Sequence, residues 1–251
     1  MPQEDITVKG VILAGGKGTR LFPLTKVTNK HLLPVGKEPM IYHPVKQLSS
    51  AGIKEILVVT STDHMGDVVN LLGSGEDFNC QFTYKVQEHA SGIAHALALA
   101  ENFAAGERIA VLLADNIFER TIKKHVDRFK EQEKGARVLL KAVGDPERFG
   151  IAALDEYHVL SIEEKPRQPK SNYAVVGAYF YDAQVFDIIR GISISERGEY
   201  EITSVNNEYV KHGQLEYDVV EGGWNDAGTF ESWIEANQML LKNDNRILGI
   251  N

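Results

Sequence analysis

The stretch VKGVILAGGKGTRL, residues 8–21, decides the fold of this chain. Residues 8–14 form a nearly continuous apolar run, as expected of a buried parallel strand. Three glycines follow within four residues, namely Gly15, Gly16 and Gly18. Because glycine has no Cβ, a phosphate can approach the backbone there and meet successive N–H groups. Residues 8–21 therefore predict a strand that ends in an anion-binding turn, beside the cations Arg20 and Lys30.

The glycine-rich turn does not match the commonest phosphate-binding motifs. A P-loop requires Gly-Lys-Ser/Thr, whereas Gly18 is followed by Thr19 and Arg20. A dinucleotide fingerprint would require glycine where Leu21 stands. On the glycines alone, a tight connection without a ligand remains an alternative. The cations and prolines that follow the turn argue against that alternative.

Composition restricts the classes of function. The chain has 251 residues, a formal net charge of −8 and one cysteine, Cys80. The net charge argues against broad binding of nucleic acid or anionic membranes, and one cysteine cannot form an internal disulfide. The acidic N-terminus lacks the features of a signal peptide, and no run of 18 apolar residues is present. We expect a cytoplasmic protein with no membrane or nucleic-acid partner.

Strands and helices alternate through the first half of the sequence. Apolar strands are predicted at residues 8–14, 55–60, 82–87 and 109–114. Helices are predicted at residues 39–50, at 65–72 with Asp63 as N-cap, and from Ser91 as N-cap to about residue 104. This order predicts an α/β fold with a doubly wound, mainly parallel sheet.

Closely spaced strands characterise the second half. A helix at residues 122–132 precedes strands at 137–143, 149–154, 158–164 and 173–181, and helices follow at 183–190, 201–211 and 229–240. Short connections of this kind favour a mixed, partly antiparallel region. Since no proline- or serine-rich linker interrupts the chain, we expect one domain over residues 1–251. Its first half would span about residues 8–120 and its second half about residues 136–240.

Polar residues stand where the apolar strands end. In open α/β sheets, ligands bind beyond the carboxyl ends of the strands. Gln87 ends the third strand, and its amide can pair with a pyrimidine through a donor and an acceptor. Asp115 ends the fourth strand, and Asp226 lies in a glycine-flanked turn. Taken singly, Gln87 could be a solvated loop residue and the aspartates could be helix caps, although two carboxylates also suit Mg²⁺ bound to a phosphate.

Three motifs together resemble the signature of the sugar-1-phosphate nucleotidyltransferases. They are G-x-G-T-R-L-x-P-x-T at residues 16–25, K-x-L-L-P-V at 30–35 and W-x-D-x-G-T at 224–229. Stretches at residues 145–150, 163–166, 169–177 and 197–203 resemble later motifs of the family in the family's order. The resemblance covers about residues 9–239. It implies the family's Rossmann-like nucleotidyltransferase fold with an inserted, partly antiparallel sugar-binding half. By this resemblance the nucleotide-binding half is about residues 8–120 and the sugar-phosphate-binding half about residues 136–240.

The resemblance also implies a set of site residues. The nucleotide-binding residues would be Leu13, Ala14, Gly15, Gly16, Gly18, Thr19, Arg20, Gln87 and Gly92. The sugar-phosphate-binding residues would be Asn116, Gly150, Glu164, Lys165, Val175 and Arg197. The catalytic residues would be Arg20, Lys30, Asp115 and Lys165, while Asp115 and Asp226 would hold Mg²⁺ as the cofactor.

The activity implied by the resemblance is nucleotidyl transfer from dTTP to glucose 1-phosphate, giving dTDP-glucose and pyrophosphate for polysaccharide biosynthesis. One alternative is a uridylyltransferase that uses UTP, and another is a non-catalytic sensor of nucleotide sugars. The chain departs from the family pattern at His95, where glutamine is common, and at Ala114, Ser204, Asn225 and Ala227. It resembles the short members of the family, so we expect weak or reorganised feedback, and we expect a homo-oligomer.

Overall fold

The computed structural model describes residues 6–248, and the side chains as far as residue 242. The strands are β1 Val8–Ala14, β2 Pro34–Val35, β3 Glu38–Pro39, β4 Glu55–Ser61, β5 Gln81–Gln87, β6 Arg108–Leu113, β7 Ile117–Phe118, β8 Ala136–Ala142, β9 Gly150–Leu154, β10 Val159–Glu164, β11 Tyr173–Tyr181, β12 Leu215–Val219 and β13 Trp224–Asn225. The helices are α1 Tyr42–Ser50, α2 Met65–Leu72, α3 Ile93–Ala98, α4 Glu101–Ala104, α5 Lys123–Glu131, α6 Val185–Gly191, α7 Ile202–Lys211 and α8 Phe230–Leu248.

One sheet of nine strands runs through the described part of the chain. Its main path has the order β10-β9-β11-β6-β1-β4-β5. Strand β1 lies parallel to both β4 and β6, and β4 lies parallel to β5. The crossovers between these parallel strands are helical, as the alternating pattern predicts. The predicted α/β class with a mainly parallel first half is therefore confirmed.

Strand β11 connects the parallel strands to the second half. Its C-terminal part pairs antiparallel with β6, with Ala178 opposite Leu112. Along its length β11 also pairs antiparallel with β8, and Ala174 near its beginning lies opposite Ile151 of β9. The second half is thus an antiparallel extension of the same sheet. Strand β12, which the sequence reading missed, adds to β8 in parallel.

Both faces of the sheet are buried, which explains the nearly continuous apolar sequence of β1. Val11 and Leu13 belong to a core with α3, α4, α6 and α7. Ile12 and Ala14 point to the other face, where α1, α2 and α5 pack. Successive residues of a strand face opposite sides of a sheet, so burial on both sides requires apolar residues throughout. A smaller apolar cluster packs α8 against other parts of the chain; its buried members are Val35, Met40, Ile117, Ala227 and Ala236.

Several helix ends differ from the predictions for local reasons. The helix predicted with Ser91 as N-cap begins at Ile93, because Gly92 has a φ of 103° and the Ser91 carbonyl accepts a hydrogen bond from the Tyr200 amide. It is interrupted after Ala98, where the amides of Leu99 and Ala100 donate to carbonyls three residues back. Asp63 lies in a 3₁₀ turn before α2 and does not cap it.

Other boundaries moved by a few residues. Helix α1 starts after β3 because residues 38–39 pair with residues 34–35. Helix α8 extends beyond its predicted end. None of the described helices is both long and apolar enough to cross a membrane.

Candidate active site

A cavity of about 320 Å³ lies beyond the carboxyl ends of β1, β5 and β6 and is closed by the antiparallel half of the sheet. Both halves of the chain contribute to its walls. Of the residues predicted to form the site, the following line this cavity: Leu13, Gly15, Gly16, Arg20, Lys30, Gln87, Gly92, Asp115, Asn116, Gly150, Glu164, Val175 and Asp226. Residues that are widely separated in sequence thus meet in one space.

Five predicted residues are not among those that line the cavity, namely Ala14, Gly18, Thr19, Lys165 and Arg197. Ala14 is fully buried in the sheet. Gly18 has a φ of +60°, and a Cβ there would lie 3.0 Å from the Cβ of Lys30. Gly18 is therefore required for the loop to pack against Lys30. Arg197 forms ion pairs with Glu164 and Glu201, which do line the cavity.

Lys30 and Asp115 form an ion pair close to the glycine-rich loop, and both line the cavity. Lys30 Nζ lies 2.5 Å from Asp115 Oδ2, and the two side chains are only 12% and 15% exposed. Burial opposes the charge of Asp115, but the Lys30 ammonium and the hydrogen bonds from Lys30 and Asn116 outweigh it and lower the pKa of this carboxyl. Asp115 is therefore ionised at neutral pH.

His31 is a cavity residue that the sequence reading did not single out. Its side chain is almost fully buried, and its Nδ1 lies 2.8 Å from Asn29 Oδ1. Burial, and then the neighbouring Lys30 charge, lower the pKa of His31 to about 3. The imidazole is therefore neutral at pH 7 and adds no charge beside Lys30.

Asn116 ties together three parts of the site. Its Oδ1 accepts hydrogen bonds from the Gly177 amide at 2.9 Å and from Trp224 Nε1 at 2.8 Å. Its Nδ2 donates to Asp115 Oδ1 at 3.0 Å. A Cβ at Gly177 would lie 2.6 Å from the Asn116 amide, so only glycine allows this contact with β11. Asn116 therefore holds Asp115 in place, whatever contacts it makes with a ligand.

Asp226 is paired with a cation from the antiparallel half. Arg148 Nη2 donates to both Asp226 oxygens, at 3.1 and 3.0 Å, and Arg148 Nη1 donates to Asp145 at 2.7 Å. Arg148 lies in the stretch of residues 145–150 that resembles a family motif, but the resemblance implies no role for it. Since the two residues are 78 positions apart, no local pattern could reveal the pair.

The wall of the cavity formed by the antiparallel half carries a connected set of carboxylates, which includes Glu164 and Glu201. Glu164 accepts a hydrogen bond from Thr203 Oγ1 at 2.6 Å and one from Arg197 Nη1 at 3.3 Å. Arg197 also donates to Glu201 at 3.1 Å. Burial is the main cause of a raised pKa at Glu201, although Ser195 and Arg197 oppose it. Lys165 lies farther off, with its Nζ 4.0 Å from Glu164.

Asp115 and Asp226 are the candidate ligands for a divalent metal ion. Among residues 6–242, whose side chains the structure describes, no group of three or more histidine, cysteine or acidic side chains is arranged to hold a metal ion. Asp115 and Asp226 nevertheless line the same cavity. Mg²⁺ is commonly bound by one or two carboxylates, with water and substrate phosphates filling its other positions. The carboxylate oxygens of these two aspartates therefore fit Mg²⁺. Binding the ion would require Asp115 to separate from Lys30 and Asp226 to separate from Arg148.

Comparison with known proteins identifies the family. The sequence pattern described as nucleotidyl transferase matches residues 9–243. The chain belongs to this nucleotidyl transferase family. Members of the family generally depend on divalent metal ions. The names of the relatives described next support a role of this protein in sugar-nucleotide biosynthesis.

Curated relatives in the family share a common name. A glucose-1-phosphate thymidylyltransferase from Neisseria meningitidis is 41% identical over 91% of this chain and 81% of its own length. One from Mycolicibacterium smegmatis is 41% identical over 93% of this chain and 82% of its own length.

Solved structures of the family share the fold. A Bacillus anthracis structure, provisionally named as a glucose-1-phosphate thymidylyltransferase and solved with a sucrose, is 53% identical. It has a TM-score of 0.89 and the match covers 92% of this chain and 94% of that one. A UDP-glucose pyrophosphorylase complexed with UDP-glucose is 25% identical, with a TM-score of 0.83 over 95% and 100% of the two chains.

Proposed function

We propose that this protein transfers a thymidylyl group from dTTP to glucose 1-phosphate, giving dTDP-glucose and pyrophosphate. The observation that carries the proposal is the joint lining of one cavity by the glycine-rich loop, Gln87, Glu164 and two aspartates. The names of relatives at 41% identity over more than nine-tenths of the chain support the same reaction. The non-catalytic alternative is not favoured, because none of the charged residues that the reaction requires is missing.

On the nucleotide side, Arg20 and Lys30 would neutralise the phosphates of dTTP. Arg20 is exposed and lines the cavity, and among the described side chains it has no ion-pair partner. The open glycine backbone would supply further N–H donors to the phosphates. The base would extend toward Gln87 and Gly92, which line the cavity beyond the loop.

On the sugar side, Glu164 would accept hydrogen bonds from hexose hydroxyl groups. Gly150 and Val175 line the wall beside it. Lys165 and Arg197 would attract the 1-phosphate. An oxygen of this phosphate attacks the α-phosphorus of dTTP, so that one P–O bond forms while the bond to pyrophosphate breaks. Positioning and charge stabilisation by the protein contribute most of the rate in such transfers.

Asp115 and Asp226 would hold Mg²⁺, with Lys30 and Arg148 released toward substrate phosphates. A bound magnesium ion supplies charge stabilisation at the phosphates. We also infer a cytoplasmic location, supported by the single, buried cysteine. A homo-oligomeric state stays a prediction.

The decisive experiment is a matrix of triphosphates against sugar 1-phosphates, read by release of pyrophosphate. We expect dTTP with glucose 1-phosphate to react fastest, UTP to react more slowly and ATP to react far more slowly. Equal use of ATP would contradict the base assignment. Binding of both substrates without turnover would instead identify a sensor. An Asp115→Asn variant serves as the control for contaminating activity.

A uridylyltransferase is the second candidate, because the UDP-glucose pyrophosphorylase shares this fold over nearly the whole chain. Its lower identity of 25% makes it the weaker candidate. Thymine differs from uracil only by a methyl group, which an apolar pocket distinguishes by about 1–3 kcal/mol. A higher kcat/KM for UTP than for dTTP would favour this candidate.

A further inference from the structure

Both hydrogen-bond donors of the Gln87 amide are used within the protein. Gln87 is 7% exposed, and its Nε2 lies 3.3 Å from the Gly92 carbonyl oxygen and 3.1 Å from His95 Nδ1. A primary amide has two N–H donors. A backbone carbonyl can only accept, so the nitrogen of Gln87 must face Gly92. The sequence-based interpretation in which Gln87 offers a base both a donor and an acceptor therefore does not fit this arrangement.

Only the acceptor of Gln87 is left for a ligand. A Cβ added to Gly15 would come within 2.9 Å of Gln87 Oε1. This oxygen therefore lies directly against the first glycine of the phosphate-binding turn, at the wall of the cavity. A hydrogen-bond acceptor there selects a base with a donor at the facing position. Thymine and uracil carry an N–H at position 3, whereas cytosine has an acceptor nitrogen there.

His95 accepts the second hydrogen bond of the Gln87 amide nitrogen and so helps to fix the orientation of this amide. It lies in α3, and its ring stacks on Tyr200 with centroids 6.3 Å apart and an interplanar angle of 24°. Because Nδ1 accepts from Gln87, the ring proton must be on Nε2.

The surrounding backbone holds the two residues at a fixed separation. The Tyr200 amide donates to the Ser91 carbonyl at 2.8 Å, and Ala94 donates to the Tyr200 carbonyl at 3.1 Å. A Cβ on Gly92 would lie 2.5 Å from the Tyr200 oxygen, so the loop packs directly on this backbone. The stack and these bonds set the position of His95 Nδ1 relative to Gln87.

We propose that His95 is a positioning residue that keeps the Gln87 oxygen turned toward the base and thereby selects thymine and uracil over cytosine. The proposal rests on the proposed function, because it requires a nucleotide base at the Gln87 end of the cavity. His95 itself does not line the cavity. It acts through Gln87, and it stands where glutamine is common in similar sequences.

Two substitutions separate the acceptor of His95 from its ring. His95→Phe keeps a ring that can stack on Tyr200 but removes the acceptor. His95→Asn removes the ring, but the Oδ1 atom of asparagine is bonded to Cγ, as Nδ1 is in histidine, and can accept the same hydrogen bond. The readout is the ratio of kcat/KM for dTTP to that for dCTP, measured in competition. The ratio for dTTP to UTP is the internal control, because both bases carry the N–H at position 3.

We expect His95→Phe to lower the dTTP-to-dCTP ratio about 5- to 10-fold, the effect of one lost neutral hydrogen bond. His95→Asn should keep the wild-type ratio, and the dTTP-to-UTP ratio should not change in either variant. An unchanged dTTP-to-dCTP ratio in His95→Phe would overturn the proposal. An equal loss in His95→Asn would overturn it too, because the ring and not the acceptor would then be required.

The same comparison can be made without turnover. If the wild-type protein releases no pyrophosphate, the proposed function fails, and the binding ratio of dTTP to dCTP measured by calorimetry still tests His95. Thermal melting of each variant verifies the fold. If His95→Phe does not fold, His95→Leu, which also lacks an acceptor, replaces it with the same expected loss.

Discussion

The two sides of the cavity hold their charges differently. On the nucleotide side, Arg20 is exposed and Lys30 shares its charge with one carboxylate, Asp115. On the sugar side, Arg197 is surrounded by carboxylates, with Glu164 at 3.3 Å and Glu201 at 3.1 Å. Arg20 and the backbone donors are therefore available on the proposed nucleotide side, whereas Arg197 on the proposed sugar side is already paired.

This difference matches the chemistry of the two proposed substrates. A triphosphate carries several negative charges and needs unpaired cations and N–H donors. A hexose presents neutral hydroxyl groups. The Glu164 carboxylate, which Thr203 and Arg197 hold in place, can accept hydrogen bonds from these hydroxyl groups. The comparison indicates that binding on the nucleotide side is electrostatic, while binding on the sugar side depends on fixed hydrogen-bond geometry.

The largest expected effect concerns the two aspartates between these sides. Asp115→Asn and Asp226→Asn each keep the size of the side chain but remove a ligand charge. Each should lower kcat by about 10²–10³, as expected when one group that stabilises transition-state charge is lost. High magnesium should restore part of the rate, and steady-state kinetics at several magnesium concentrations measures this.

The double aspartate variant sharpens the same prediction. Two groups that serve one ion act as a unit, so the double variant should lose less than the product of the single losses. Near-normal turnover of both single variants at low magnesium, with unchanged melting temperatures, would show that these aspartates do not bind a metal.

Exchanging a cation on each side tests the comparison itself. Arg20→Gln should raise KM for dTTP about 10- to 100-fold, the size of a lost hydrogen bond to a charged group. Arg197→Gln should raise KM for glucose 1-phosphate and should do so less, because Arg197 is already paired. Initial-rate kinetics with each substrate varied in turn separates the two. If each variant affected both substrates equally, the two sides would not be distinct.

Acid should destabilise the nucleotide side through His31. Its pKa in the folded protein is about 3, below the ordinary value of 6.5, so the unfolded chain binds a proton that the folded chain excludes. Stability is therefore complete above pH 6.5 and falls as the pH falls toward 3. At pH 5 the loss should be about 2 kcal/mol relative to pH 7.

A matched pair of variants isolates this effect. His31→Asn should reduce the difference in free energy of unfolding between pH 7 and pH 5, measured with denaturant. His212→Asn, which changes an exposed histidine with no ion-pair partner among the described side chains, should leave it unchanged. An unaltered difference in His31→Asn would mean that other groups cause the acid sensitivity.

The smallest effect is expected on the sugar side. Thr203→Val removes the hydroxyl that donates to Glu164 but keeps the shape of the side chain. KM for glucose 1-phosphate should rise about 3- to 10-fold, as for one ordinary hydrogen bond, and KM for dTTP should not change. A change in the dTTP value alone would contradict the assignment of Glu164 to the sugar.

The sequence alone determined the parallel half of the fold and its phosphate-binding turn. A strand that is buried on both faces is apolar at most of its positions, so β1 and β6 are recognisable from a few adjacent residues, although each has one cation near its start. The glycines and the carboxylate that follow these strands are equally local signals. The resemblance to a family then located residues of the second half that no periodicity would have revealed.

Only the tertiary structure decided which of these groups interact. The contacts of Arg148 with Asp226, of Asn116 with Trp224 and of Tyr200 with Gly92 join positions far apart in sequence. Strand β12 was missed because its two acidic residues interrupt the apolar pattern. One of them, Asp218, is buried against Arg128 and Arg137, which lie on α5 and β8. Local patterns encode periodicity over a few residues, whereas the pairing of charges and amides depends on strand order and distance across the sheet.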